Sequence, residues 1–309
     1  MILVTGITGK SGTWFLKRLM EEKESLTATR FRVIVRNSSN VELIDNSGLQ
    51  IEKVYGDLND ISFIEKSMKG ISTVLHIAGI HMSLNVVEAA IRNDVKRLIL
   101  VHTTGIYSKY KSANAEYLET EKHIEKIIAN RNIVLTILRP TMIYGNLSDK
   151  NVSIFIKMVD NLRFFPVINH ARYPLQPVYE KDLGEAYYKV LVNADATRNK
   201  NYILSGKEPI LLIDMLKIIG IYLKKKNTFF SIPFPIAYLG AWGLFMLTFG
   251  KVDLREKVQR LIEPRTFPYN DAFIDFGYSP VNFKDGVKSE INDYVSKKNK
   301  LKSANVQNS

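Results

Sequence analysis

The chain opens Met1-Ile-Leu-Val-Thr5-Gly6-Ile-Thr8-Gly9-Lys10-Ser11-Gly12, and the reading of this stretch decides the fold. The apolar run Ile2 to Val4 leads into three glycines at a spacing of three, and Trp14, Phe15, Leu16 and Leu19 follow as one helical face. Strand, tight turn and helix are the implied order. Glycine suits such a turn because a side chain would hold a pyrophosphate away from the backbone. The helix after the turn offers that anion free N–H groups and the positive end of its dipole. Gly6, Thr8, Gly9, Lys10, Ser11 and Gly12 are therefore candidate cofactor residues. The spacing G-x-x-G-x-x-G is one residue longer than the G-x-G-x-x-G fingerprint of dinucleotide sites. Gly9-Lys10-Ser11 mimics the end of a P-loop, but that motif requires glycine where Val4 stands.

Beyond the turn the chain alternates. Phe31 to Arg36, Ile51 to Tyr55, Ser72 to Ile77 and Arg97 to His102 read as further strands, separated by helical stretches such as Leu84 to Asn93 and Ala115 to Ile128. Asn59 or Asp60 is placed to cap the helix after the third strand. This rhythm implies βαβ units and an α/β fold of Rossmann type, a doubly wound parallel sheet. The second strand ends in Arg36 rather than in an acidic residue. An acidic group there would bind a ribose 2′-hydroxyl, whereas arginine accommodates a 2′-phosphate, so NADP is favoured with NAD still open.

Composition sets the bounds. The 309 residues are 46% hydrophobic and 24% charged, which is ordinary for a globular chain with one large or two modest cores. There are no cysteines, which excludes disulfides and thiolate metal sites and permits a reducing cytoplasmic setting. The first apolar run is too short for a signal peptide and is itself the first strand. The net charge of +12 favours anionic partners without choosing among them. No basic-aromatic motif or recognition-helix pattern supports nucleic acid. Five histidines, His76, His81, His102, His123 and His170, lack metal-ligand spacing, and no G-x-S-x-G elbow occurs. No metal site is expected.

An ordered set of short motifs resembles the short-chain dehydrogenase/reductase superfamily, in its extended or atypical epimerase/dehydratase-like branch. The set comprises Thr5-Gly6-x-x-Gly9-x-x-Gly12, Gly56-Asp57-Leu58, His76-x-Ala78-Gly79, Thr103-Thr104-Gly105-Ile106-Tyr107 and Leu138-Arg139-Pro140-Thr141-Met142-Ile143-Tyr144-Gly145. It continues through Gln176-Pro177-Val178-x-x-x-Asp182-Leu183, Asn201-Tyr202-x-Leu204-Ser205-Gly206 and Phe276-Gly277-Tyr278-Ser279-Pro280. The resemblance implies that Asp57 and Leu58 border the adenine, Ala78 and Gly79 line the cofactor channel, and Pro140 ends the strand beside the nicotinamide. It divides the chain into a dinucleotide-binding part, 1–145 with a returning segment at about 174–205, and a smaller substrate-binding portion, 146–309. It also implies a sugar nucleotide or lipid-linked sugar as substrate and a homodimer paired through long helices.

The resemblance further implies a tyrosine that exchanges a proton with the substrate, a lysine four residues on, and a serine or threonine that orients the substrate oxygen. Thr103 stands at the threonine position and Tyr117 is the tyrosine candidate. Four residues after Tyr117 stands Glu121, with Lys122 displaced about a hundred degrees around the helix. A carboxylate beside the phenol raises its pKa. Three readings stay open: a local irregularity brings Lys122 in, Glu121 is itself the acid/base, or hydride chemistry has been lost. Tyr107, Lys109 and Tyr110 are nearby substitutes.

The C-terminal portion holds an uncharged stretch, Asn227 to Gly250, between Lys224-Lys225-Lys226 and Lys251. Pro233 and Pro235 interrupt it and leave an apolar helix at 236–249, too short to span a bilayer. Ala237, Gly240 and Ala241 form its small face, and Leu239, Trp242, Phe245, Met246 and Phe249 its bulky one. A basic helix, Val252 to Ile262, and the tail Lys297-Lys298-Asn-Lys300-Leu-Lys302 complete the chain's basic regions. Two readings of the apolar helix stay open, a buried core helix and, in a cytoplasmic protein, a peripheral membrane contact through 228–262.

Overall fold

The structure, a computed structural model, describes residues 1–110, 112 and 114–307. Seven strands form its central sheet: β1 (Ile2–Thr5), β2 (Phe31–Val35), β3 (Ile51–Tyr55), β4 (Thr73–His76), β5 (Arg97–Val101), β6 (Val134–Pro140) and β7 (Asn201–Leu204). Their spatial order is β3-β2-β1-β4-β5-β6-β7, and every pairing is parallel. The order reverses between β1 and β4. Loops at the carboxyl ends of those two strands therefore diverge and leave a crevice. β2, β4 and β5 end one residue before the expected runs, at Val35, His76 and Val101, while β3 matches its run and β1 extends one residue further, to Thr5.

The helices, in chain order, are α1 (Lys10–Glu21), α2 (Ile61–Ser67), α3 (Ser83–Arg92), α4 (Asn114–Ile128), α5 (Val152–Asn161), α6 (Glu180–Val192), α7 (Leu212–Tyr222), α8 (Phe234–Leu247), α9 (Arg255–Leu261), α10 (Asn270–Phe276) and α11 (Phe283–Gln307). On one face of the sheet α1, α6 and α10 bury Phe15, Leu16, Leu19, Leu183, Tyr187, Ala272 and Phe276. On the other, α2, α3 and α4 bury Ile64, Val86, Val87, Ala90, Ile124 and Ile128. Residues on both faces make the strands almost wholly apolar, as parallel sheets require. Of the two candidate caps, Asp60 starts α2 by accepting from the Phe63 N–H at 3.0 Å.

A third core lies beyond β6. It joins α5, α7 and α11 to a parallel pair of short strands, Phe164–Ile168 and Thr228–Ile232, through Ile156, Val159, Phe165, Val167, Leu216, Ile219, Val287 and Ile291. The chain visits both halves late, since α10 packs on the central sheet while α11 packs on this core.

Two C-terminal boundaries depart from the expected ones. The apolar helix runs Phe234–Leu247, not 236–249. Pro233 serves as its N-cap and Pro235 lies in the first turn, where a missing N–H costs nothing. It stops early because Phe249 and Gly250 turn to positive φ, +50° and +78°. The basic helix shortens to Arg255–Leu261, with Asp253 Oδ1 accepting from the Arg255 N–H at its start. Nor is the small face of α8 fully covered: Ala241 is buried, Gly240 is exposed.

Candidate functional site

The turn after β1 needs its glycines for two separate reasons. Gly6 has φ +76°, and a Cβ on it would lie 2.7 Å from the Ala78 nitrogen at the end of β4. At Gly12 a Cβ would lie 2.1 Å from the Gly6 carbonyl oxygen, so glycine lets α1 settle onto the turn. The turn closes with the Gly9 N–H donating to Gly6 O at 2.9 Å. Gly9 is the N-cap of α1, and no side chain caps that end. The first-turn N–H groups thus point at open space, as an incoming diphosphate needs. The cradle fits a dinucleotide.

That cradle forms one wall of a groove of about 460 Å³. Gly6, Thr8, Gly9, Lys10 and Ser11 line it, with Arg36 and Ser39 after β2, Asp57, Leu58 and Asn59 after β3, and Ala78 after β4. Asp57 Oδ1 accepts from the backbone and side-chain N–H groups of Asn59, both at 2.9 Å, which stiffens that lip. The described lining does not include Gly12 or Gly79. Gly12 acts by packing, and Gly79, at φ +105°, makes the bend that returns its carbonyl to His76 Nε2 at 2.9 Å. Since a carbonyl only accepts, Nε2 carries the proton and Nδ1 accepts from the Thr5 hydroxyl at 2.7 Å. Burial pushes His76 down to about 4, so it stays neutral and locks β1 to β4 beneath the groove.

A second cavity, about 530 Å³, meets the groove at Lys10 and Ser11, which line both. Thr103, Thr104, Gly105 and Tyr107 enter it from the end of β5, and Thr141 and Met142 from the end of β6. Pro140 is buried just behind, its carbonyl accepting from the Thr104 hydroxyl at 3.2 Å. The Thr103 hydroxyl accepts from the Gly105 N–H at 3.0 Å, which fixes its side chain. Five further residues, Asp149, Lys150, Arg260, Glu263 and Arg265, bring charge to the wall, and none of them belongs to a sequence motif. The basic stretch ahead of Pro264 is the one visible hint of them.

The segment after α9 is held in place from two sides. Glu263 accepts from the Ser108 hydroxyl and the Lys109 N–H, both at 2.7 Å. Gln176 accepts from the Phe267 N–H at 2.9 Å and donates to Gly206 O at 2.7 Å. Burial, then the neighbouring Arg260 charge, pushes Arg265 down to about 10, so it remains a cation at neutral pH. The Nε atoms of Arg260 and Arg265 are buried without a hydrogen-bond partner. Lys150, Arg260 and Arg265 give this wall positive charge beside the carboxylates of Asp149 and Glu263.

The expected acid/base group is not assembled here. Tyr117 is outside the described walls of both cavities. It packs with Ile80 and Ile106, its hydroxyl 3.3 Å from His81 Nε2, and burial followed by the Glu116 charge pushes the phenol up. Glu121 is a correction: it is buried, 2.8 Å from His102 Nδ1 and 3.1 and 2.5 Å from the Arg139 guanidinium. Burial alone would raise its pKa, but hydrogen bonds from His102 and Arg139 outweigh burial and hold it below the usual carboxylate range. Glu121 therefore ties α4 to the ends of β5 and β6, and it is not among the lining residues of either cavity. Lys122 is also a correction, since it lies exposed on the outer side of α4 with Glu119 and Lys126. No local irregularity in α4 brings it inward.

Residues 6–157 match the sequence model of the NAD(P)H-binding family. NAD(P)H is the cofactor class that this match names. A 76-residue segment is 34% identical to sterol demethylase protein B of Methylococcus capsulatus, covering 25% of this chain and 21% of that protein. The chain thus matches about a fifth of that relative's length. Among solved structures, a dTDP-glucose 4,6-dehydratase of Streptomyces venezuelae with NAD bound is similar at a TM-score of 0.72, 15% identity, 96% of this chain and 97% of that one. An NADPH-dependent quinone oxidoreductase of Escherichia coli is similar at 0.69, 18% identity, 96% and 100%. The NAD(P)H-binding half and the C-terminal portion together share the epimerase/dehydratase-like fold of short-chain dehydrogenase/reductases, as the motifs implied.

Proposed function

We propose that the protein is an NADP-dependent oxidoreductase or epimerase whose substrate carries an anionic head group, a sugar nucleotide or a lipid-linked sugar. The observation that carries this reading is the shared wall at Lys10 and Ser11, which joins the dinucleotide groove to a cavity holding Thr103 and two arginines. When bound, the nicotinamide would supply or take hydride. Arg36 at the groove edge would pair with a 2′-phosphate, Arg260 and Arg265 would hold the substrate's anion, and Thr103 would orient its reacting oxygen. Tyr107 lines the same cavity and would exchange the proton in place of Tyr117. The dehydratase among the structural neighbours supports the sugar-nucleotide class; the quinone oxidoreductase marks the competing chemistry.

Binding is tested by thermal shift. NADPH at a hundredfold excess over its Kd should stabilise the fold by about 2.7 kcal/mol relative to free protein, and at equal concentration should raise the melting temperature more than NADH. Arg36→Asp should weaken NADPH on the order of tenfold and leave NADH little changed. An unchanged ratio would remove Arg36 from cofactor choice. Turnover is then measured with dTDP-glucose, UDP-glucose and a quinone, for wild type, Tyr107→Phe and Tyr117→Phe. Loss in the first variant alone supports Tyr107. A second reading, a non-catalytic NADP-binding protein, is favoured by the burial of Tyr117 and the commitment of Glu121. Firm NADPH binding with no turnover on any substrate would select it.

A further inference from the structure

The outer surface of the third core is more apolar than a free surface of this size tolerates. In α8, Ile236 is 61% exposed, Leu239 66%, Trp242 48% and Leu247 81%, and Phe249 beyond it is 94% exposed. Thr228–Ile232 leads directly into this helix through Pro233, and with Phe164–Ile168 it buries Phe165 and Val167 on one side. The other side turns Phe164, Pro166 and Phe230 to solvent, with Phe230 opposite Pro166 in the register. The strand Thr228–Ile232 and the helix that follows it carry no charged residue from Asn227 to Gly250. Such surfaces mark an interaction site.

Its rim is cationic. Lys224 and Lys226 precede it, on either side of Lys225, which is paired with Asp160 at 3.0 Å; Lys251 follows it, and the Arg163 guanidinium lies 5.8 Å from the Phe164 ring. A second copy docking face to face would bring this ring of cations against itself, because an isologous interface repeats the same patch. An anionic lipid surface takes both parts at once: acyl chains accept the aromatic and aliphatic groups, and head groups accept the lysines. At 14 residues α8 is about 21 Å long, well short of the hydrocarbon thickness. It would lie in the interface.

We propose that α8 and the outer face of Phe164–Ile168 and Thr228–Ile232 dock the protein on an anionic membrane. The docked element adjoins a segment that lines the cavity. α8 packs on α9, with the Arg255 guanidinium 3.9 Å from the Phe245 ring; Arg260 of α9, and Glu263 and Arg265 in the chain leaving it, line the cavity. Glu256 on α9 accepts from the Ser112 hydroxyl at 2.8 Å, tying the hairpin to the other half of the molecule. Membrane docking therefore sets the substrate cavity beside the lipid surface. Granted the substrate reading above, the substrate is an amphiphile with its anionic head on the arginines and its tail in the bilayer.

The test is flotation with phosphatidylcholine vesicles, with and without phosphatidylglycerol, using the full chain and Leu239→Asp/Trp242→Asp. Wild type should float with the anionic vesicles, less so in high salt, and the exposed-site variant should stay in solution with its NADPH thermal shift intact. In a Trp14→Phe background, Trp242 fluorescence should shift to the blue on adding anionic vesicles. If wild type stays in solution and instead elutes as a dimer that Leu239→Asp/Trp242→Asp splits, the face is a self-interface and the proposal fails. Equal flotation on neutral and anionic vesicles would overturn the role of the cationic rim. Flotation needs no cofactor, so flotation without any NADPH response would sink the enzymatic reading and leave the docking surface standing.

Discussion

At the scale of single residues, the substitution of glutamate for the expected lysine on α4 has a structural answer. Glu121 takes two buried cationic or hydrogen-donating partners, His102 and Arg139, and satisfies both. His102 is pushed below its ordinary value by burial, which outweighs the raising effect of Glu121, so it donates from Nδ1 while Nε2 accepts from the Ser83 hydroxyl at 3.0 Å. Removing one partner of such a buried pair leaves an uncompensated charge. Glu121→Gln should therefore cost about 3–5 kcal/mol in urea unfolding while leaving the affinity of surviving folded protein for NADPH within about twofold. A variant as stable as wild type but without turnover would return Glu121 to the chemistry.

Among the elements, α11 shows how a long basic helix is held onto a small core. Its mean polarity is high, and one buried carboxylate anchors its register. Asp160 at the end of α5 accepts from the Tyr294 hydroxyl at 2.8 Å, pairs with Lys225 at 3.0 Å, and also pairs with Lys298. Burial alone would raise this carboxyl, but the hydrogen bonds from Lys298, Tyr294 and Lys225 outweigh it and hold it near 2. A depressed carboxylate pKa adds stability above its unfolded value of 3.8, and that stability is lost as pH falls through about 2. Asp160→Asn should cost about 1–3 kcal/mol at neutral pH and speed amide exchange around Tyr294 more than around β1. Uniform exchange across the molecule would show that the anchor is not local.

For the whole molecule, the joint between the central sheet and the third core contains a carboxyl that resists ionisation. Glu290 of α11 is fully buried, and its Oε2 accepts from the Gly145 N–H at 3.0 Å, just past β6. Burial first, then the adjoining Asp149 carboxyl, pushes it up to about 9. Asp149 is itself engaged by the N–H groups of Asn151 and Ser153, at 2.6 and 3.2 Å, at the start of α5. With the folded pKa above the unfolded 4.5, the contribution is complete below 4.5 and drains as pH rises towards 9, on the order of 1 kcal/mol per pH unit. Melting temperature should fall across that window in wild type and fall less in Glu290→Gln. Parallel curves for the two proteins would mean that the joint does not titrate.

Much of this was legible in the residues. The strand, glycine turn and helix at 1–21, the alternation of strand and helix as far as β5, and Arg36 at the end of β2 follow from local periodicity and turn chemistry, which act within a few residues of chain. Asp57, Ala78 and Thr103 were placed by the resemblance of short motifs, and they line the groove and the second cavity. Other outcomes were decided only by the tertiary structure. That Glu121 meets Arg139, that Tyr117 turns away from the cavity, and that Arg260 and Arg265 fold back over Thr103 depend on contacts between segments from 18 to about 160 residues apart. The exposure of α8 belongs with these. Its uncharged composition fitted a buried helix equally well, and burial is a property of what a segment packs against, which no stretch of sequence carries by itself.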